Sequence, residues 1–302
     1  MTLIDQALQT VNEAIDQIYP ERYSLLFEAN RYALLSSGKR IRPLICLASA
    51  DWMGQDYHDM IPLAVSLEMI HSYSLVHDDL PEMDNDEWRR GKPSVHKQFG
   101  HGLALLVGDS LLTDAWQVVL NSDLPSYGKV EALSILSEGA GSKGMIYGQF
   151  LDSVLTMQAG DIIQLEKIHR HKTGALLEAS ALSVFPFYEP ELYLKQRISR
   201  FIKIYGLAFQ IHNDLKDVLL TKEDAGKDVL KDQSLEKTTY PSLLGVEQTL
   251  NLLEEKLTIL NNILDELTES NPESKLGQAV YRFAIDSIDP TQMRELYEER
   301  TH

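Results

Sequence analysis

The sequence holds a single cysteine, Cys46, in 302 residues. One thiol cannot close a disulfide within the chain. The apolar run Leu44-Ile45-Cys46-Leu47-Ala48 around it predicts an inert core side chain rather than a nucleophile. Positive charge is scarce as well: 28 Lys and Arg stand against 45 Asp and Glu, a net charge of −17. That balance argues against a general role on nucleic acid or an anionic membrane, but leaves room for small anions held by a few gathered cations. No apolar run approaches ~18 residues, so no membrane span is expected. Near Asp5, Glu13 and Asp16 no basic stretch leads into an apolar one, so no signal peptide is expected and a reduced, cytoplasmic setting is. Proline is absent from Ser126 to Phe185, which leaves room for long helices there, with a break where Pro186 and Pro190 stand.

What is present is helical periodicity nearly everywhere. Leu253, Leu257, Leu260, Leu264 and Leu267 step by four and three, the stripe of a helix packed on other helices. No period-two strand, internal repeat or low-complexity linker is visible. Loops are expected at 121–125, 222–237 and 269–274. A single all-α domain over residues 1–302, a helical bundle large enough to enclose a cavity, is the economical reading.

The most informative segment ends an apolar helical run in acid. From Asp78 to Glu87 lie Asp78, Asp79, Glu82, Asp84, Asp86 and Glu87. Carboxylates this dense repel one another unless they are solvated or bind cations, and hard oxygen ligands suit Mg²⁺. On an unbroken helix Asp78 and Asp84 would sit ~120° apart; Pro81 should interrupt the helix and let both turn to one site. His71 and Ser74 precede Asp78 by seven and four residues, on the same helix face. The cations of Trp88-Arg89-Arg90-Gly91-Lys92 follow at once. An anion held by metal on one side and guanidinium on the other fits that sequence of charges.

Asp78-Asp79-x-x-x-x-Asp84 followed by Arg89-Arg90-Gly91 resembles the first aspartate-rich motif of bacterial trans-prenyl diphosphate synthases. The resemblance extends over almost the whole chain. Its blocks are Gly38-Lys39-Arg40-Ile41-Arg42-Pro43, Val107-Gly108-Asp109, Gly148-Gln149-Phe150-Leu151-Asp152, His169 through Gly174, Phe209-Gln210 through Asp217, Gly226-Lys227, and Lys237 through Pro241. It implies an all-α isoprenoid synthase fold around a central cavity, assembled as a homodimer. The implied reaction condenses isopentenyl diphosphate with an allylic diphosphate, with up to three Mg²⁺ ions. By resemblance, Lys39, Arg42, His71 and Arg90 hold isopentenyl diphosphate. Asp78 and Asp84 carry Mg²⁺, with Asp79 in support. Arg89, Lys172, Thr173, Gln210, Lys227 and Lys237 contact the allylic diphosphate, and no side-chain base is needed because the released diphosphate takes the proton.

Two positions refine the resemblance. The second acidic motif reads Asn213-Asp214-Leu215-Lys216-Asp217, with Asn213 where the family carries a metal-ligating Asp. An amide oxygen brings no charge, so one Mg²⁺ should bind more weakly or draw on Asp214 or Asp217. Tyr73, five residues before Asp78 and beside Ser74, resembles the bulky stop that limits bacterial farnesyl synthases to a C15 product, with C20 the near alternative. Glu68-x-x-His71 and Glu166-x-x-His169 also admit a di-iron bundle, and the change at Asn213 a non-catalytic subunit. Neither gives work to Asp78, Asp84 and both cation clusters. A terpene cyclase or other prenyltransferase would not need the second diphosphate pocket.

Overall fold

A computed structural model describes residues 1–20, 23–155, 160–220 and 238–301. In chain order the helices are α1 (Leu3–Ile18), α2 (Leu25–Leu34), α3 (Ile41–Trp52), α4 (Ile61–Asp78), α5 (Val95–Phe99), α6 (His101–Leu120), α7 (Ser126–Ala140), α8 (Met145–Leu155), α9 (Ile162–His169), α10 (Ala175–Leu182), α11 (Phe185–Tyr188), α12 (Leu192–Leu219), α13 (Tyr240–Leu244), α14 (Val246–Ser270), α15 (Lys275–Asp286) and α16 (Thr291–Thr301). Between α9 and α10 the helix widens into one π-turn, Arg170–Gly174. The all-α class read from the sequence is the class observed. Among the described residues the only ladder pairs two-residue strands, β1 (Trp88–Arg89) with β2 (Lys92–Pro93), antiparallel. It is too short for an alternating pattern to have marked it.

Helices α3 and α4 form the middle of the bundle because each buries residues on every side and has no continuous polar face. Every residue of α4 from Leu63 to Ile70 is buried, and α3 buries Pro43 through Ala50 without a gap. A helix without a polar face must be surrounded. Helix α6 runs along α4, α15 covers α3, and α12 packs on α10 and α14. Gly108 permits the close approach of α6, since a Cβ there would lie 1.9 Å from Nε2 of His77.

The leucine stripe forms one helix, α14, burying Leu253, Leu260, Leu264 and Leu267. Loops at 121–125 and 271–274 match expectation, and residues 222–237 lie outside those described. Pro186 stands in the first turn of the short α11. The proline-free stretch is more broken than expected. Helix α7 ends at Ala140, and the chain turns through Gly141 to Gly144, where a Cβ on Gly144 would stand 2.1 Å from the Gly139 carbonyl oxygen. Glycine makes this corner, so proline counting could not find it. Cys46 is fully buried, and burial pushes its thiol pKa up.

Helix α6 is long and apolar enough to cross a membrane by length and composition. It also carries Asp114, which accepts a 2.7 Å hydrogen bond from Tyr19, and Ser110, which donates to Asn30 at 3.0 Å. Its inner side belongs to the core, and its outer side leaves Leu105 48% and Leu106 54% exposed.

Candidate active site

The first acidic motif folds back on itself. Helix α4 ends at Asp78 because Pro81 cannot supply the N–H or the space for another turn. The chain reverses, with the Asp84 N–H bonded to the Asp78 carbonyl at 2.9 Å and Asn85 left-handed at φ 52°. This turn brings Asp78 and Asp84 to one end of α4, as Pro81 led one to expect. Burial raises the Asp78 carboxyl to about 6, against the pull of Lys172; Asp84 adds to the rise, which Arg89 opposes. A carboxylate kept this uneasy is suited to a cation. Asp79 points away and is buried against Arg89, whose Nε lies 2.9 and 3.2 Å from its two oxygens; the Arg89 Nη2 also reaches Asp86 at 3.1 Å. Asp79 is thus engaged by Arg89.

Lys172 faces these acids from the π-turn. Burial opposes its charge, but Asp152, Asp78 and Asp84 outweigh that and hold its pKa above the ordinary lysine value. Its Nζ lies 2.6 Å from Oδ2 of Asp152 on α8. The turn can sit this close because position 148 is glycine: a Cβ would lie 2.0 Å from the Lys172 amide nitrogen. Thr173 is buried in the same turn. Single-turn π-bulges are frequent at functional sites, where they re-aim side chains that a regular helix would direct elsewhere.

A second cation cluster surrounds the start of α3. Arg42, His71 and Arg90 lie within electrostatic reach of one another. Burial, countered by Glu68, brings the Arg42 guanidinium down to about 10, and its Nε is buried without a hydrogen-bond partner. Burial first, then Arg42 and Arg90, push His71 well below the ordinary histidine value, so its ring is neutral at neutral pH. Lys39 is exposed nearby, lowered by burial and by Lys216, and reaches the Ser287 carbonyl at 3.3 Å. An unpaired buried guanidinium N–H is costly unless an anion completes it.

On α12, Asn213 donates to Gln210 at 3.2 Å, and Gln210 contacts Nδ1 of His169 at 3.2 Å. Asp214 accepts the Tyr240 N–H at 3.0 Å and lies 3.8 Å from His169. Asp217 is buried, and its Oδ2 has no hydrogen-bond partner. Of the two helpers considered for Asn213, Asp214 gives one oxygen to the start of α13, and Asp217 keeps one without a hydrogen bond among the described residues. Lys227 and Lys237 lie outside the described residues.

Tyr73 is 5% exposed, its ring edge-on to His77 with centroids 5.9 Å apart. Its hydroxyl has no partner, and burial together with Asp78 raises its pKa to about 12. The Ser74 hydroxyl is turned back onto the His71 carbonyl at 2.9 Å. Glu68 pairs with Arg40, which takes it out of the di-iron reading. Among the described residues no three His, Cys, Asp or Glu side chains are grouped to hold a metal ion by themselves. Sequence reading assigned no role to Asp152 or Arg40, and it gave Glu68 and His169 one only in the di-iron alternative. Asp152 was within reach of it, four residues after Gly148 in a motif already singled out.

The family model for polyprenyl synthetase matches residues 23–281. A farnesyl diphosphate synthase of Micrococcus luteus is 42% identical over 278 residues, covering 91% of this chain and 94% of the relative. A chloroplastic geranylgeranyl pyrophosphate synthase of Capsicum annuum is 41% identical over 79% of this chain and 66% of its own. Among solved structures, a Helicobacter pylori geranyltransferase complexed with magnesium and isoprenyl diphosphate superposes with a TM-score of 0.81 at 31% identity, covering 94% of this chain and 95% of its own. With its acidic turn, its two cation clusters and a family match over most of its length, this chain belongs to the polyprenyl synthetase family.

Proposed function

We propose that the protein is a Mg²⁺-dependent trans-prenyltransferase that condenses isopentenyl diphosphate with dimethylallyl and geranyl diphosphates to make farnesyl diphosphate. The observation that carries this is the pairing of two separate anion sites. One is Asp78, Asp84 and Lys172 at the end of α4; the other is Arg42, His71 and Arg90 beside it. One diphosphate needs one such site, and two substrates bound together need both.

Hard carboxylate oxygens on Asp78 and Asp84, with the free oxygen of Asp217, fit Mg²⁺, which keeps waters and substrate oxygens in its shell. When bound, Mg²⁺ neutralises charge on the allylic diphosphate as its C–O bond breaks. Lys172 adds a fixed cation to the same leaving group, and Asp152 holds it in place. Arg42 and Arg90 bind the other diphosphate, with neutral His71 as a hydrogen-bonding partner. The isopentenyl double bond attacks the allylic cation, a C–C bond forms, and the departing proton passes to the released diphosphate. Lys39, Arg89, Thr173, Gln210, Lys227 and Lys237 are proposed as further diphosphate contacts. Up to three metal ions are proposed, the third on Asn213 and Asp217.

A C15 product rests on Tyr73, which is buried just behind Asp78. The deciding assay supplies purified protein with Mg²⁺, isopentenyl diphosphate and separate C5, C10 and C15 allylic starters. Condensation of the C5 and C10 starters, ending at C15, is expected; no condensation with any starter would refute the reading. Tyr73→Ala should move the dephosphorylated alcohols toward C20 on chromatography, and an unchanged C15 distribution would remove Tyr73 as the stop.

We also propose a soluble cytoplasmic homodimer, with no nucleic acid or membrane partner. The half-exposed outer face of α6, with Leu105 and Leu106, supports a second copy seated there.

A further inference from the structure

The isopentenyl diphosphate site is built by three separate elements. Lys39 and Arg42 flank the start of α3, His71 sits on α4, and Arg90 sits on the β1–β2 turn. Cations brought together from three directions repel, and something must fix their positions before the anion arrives. Among the described residues, two of the four non-glycine residues with positive φ are arginines in this region: Arg40 at 49° and Arg90 at 54°. A left-handed conformation costs energy for any residue that carries a Cβ, and it persists where surrounding contacts over-determine it.

Both arginines converge on one carboxylate. Glu68 is 1% exposed, one turn before His71 on α4. Arg40 Nη1 bonds its Oε1, while Arg40 Nη2 bonds the Leu34 carbonyl and lies 3.1 Å from the Ser36 carbonyl. Arg40 thereby commits three of its five N–H donors to Glu68 and to backbone carbonyls, and it is 7% exposed. Arg90 is placed differently. Its Nη1 lies 3.9 Å from the same Oε1, an ion pair at a distance without a hydrogen bond, and 3.4 Å from Ser36 Oγ. Gly38 leaves the space, since a Cβ there would lie 3.0 Å from the Arg90 guanidinium carbon. Apart from the bond to Ser36, Arg90 therefore keeps its side-chain donors for an anion while its charge is compensated.

We propose that Glu68 is a positioning residue for isopentenyl diphosphate: through Arg40 it locks Lys39 and Arg42, and by its charge it holds Arg90 on the same site. This rests on the assignment of that pocket to isopentenyl diphosphate. Glu68 touches no substrate. It sets the geometry and charge balance of the residues that do. A buried carboxylate among guanidiniums costs much to strand, so the single change must be read beside one that removes both charges.

The experiment measures steady-state kinetics and thermal melting on the wild type, Glu68→Gln, Glu68→Asp and the double variant Arg40→Gln/Glu68→Gln. Glu68→Gln should raise the KM for isopentenyl diphosphate by about 30-fold or more, leaving the KM for the allylic starter unmoved. Glu68→Asp, which restores the charge, should recover part of that loss. The double variant removes the stranded cation and should recover the melting temperature without recovering the KM. Overturning results are an unchanged isopentenyl KM in Glu68→Gln, equal rises in both KM values, or a double variant that regains KM and melting temperature together. If Glu68→Gln fails to fold, the double variant decides alone by the same KM comparison. A wild type that condenses while Glu68→Gln keeps its KM removes only this inference; a wild type that condenses nothing removes the parent reading as well.

Discussion

Asn213 offers an uncharged amide, and its NH₂ group is engaged by Gln210. Changing Asn213 to Asp would add a second anionic oxygen donor near Asp217. The Mg²⁺ concentration for half-maximal rate should fall by about tenfold, measured by titrating Mg²⁺ at saturating substrates; an unchanged titration would show that Asn213 takes no part. His71 makes a prediction of a different kind. Its folded-state pKa lies well below its ordinary value of 6.5 because burial and Arg42 disfavour the imidazolium. Between those two values the unfolded chain binds more protons than the folded one, so stability rises with pH across that window. The contribution is fully present above 6.5 and is lost as pH falls below it. Urea unfolding of His71→Gln should show a shallower loss of stability between pH 6.5 and 5 than the wild type.

At the level of elements, the end of α4 and the π-turn carry the proposed allylic half of the site, and each has an identifiable cause. Pro81 stops α4, and the backbone bond from Asp84 to Asp78 closes the turn that follows. That much was legible in the sequence, because proline and an acidic run act locally. The π-turn was not. Its widened helix is held against α8 by Gly148, a contact between residues far apart in the chain. Gly148→Ala would place a methyl 2.0 Å from the Lys172 amide nitrogen and 2.4 Å from its Cα. Backbone cannot yield as a side-chain tip can, so the expected cost is about 1–3 kcal/mol of stability. Calorimetric melting should show it, along with a raised KM for the allylic substrate as Lys172 is displaced. A fully active variant of wild-type stability would mean that the two helices slide apart freely.

On the scale of the whole molecule, α6 is the element that the bundle leaves unfinished. Its inner residues contact α4, and its outer leucines are half in water. Under the proposed homodimer, Leu106→Glu should shift the sedimenting species from dimer toward monomer, with little change in helix content by circular dichroism; a variant that sediments like the wild type would place the subunit contact elsewhere. The same helix shows where local reading ended, since its apolar content is compatible with a core, an interface or a bilayer. The sequence alone determined the helical class, the stripe of α14, the acidic turn and the two cation motifs, because periodicity, proline and charge density express themselves over a few neighbouring residues. Tertiary structure alone decided that Asp214 gives an oxygen to α13 while Asp217 keeps one without a hydrogen bond among the described residues. It also decided that Asp152 holds Lys172, and that two left-handed arginines from separate elements meet on Glu68. Those are pairings across the fold. A carboxylate's partner depends on which helices stand beside it, and nothing in its own stretch of chain records that.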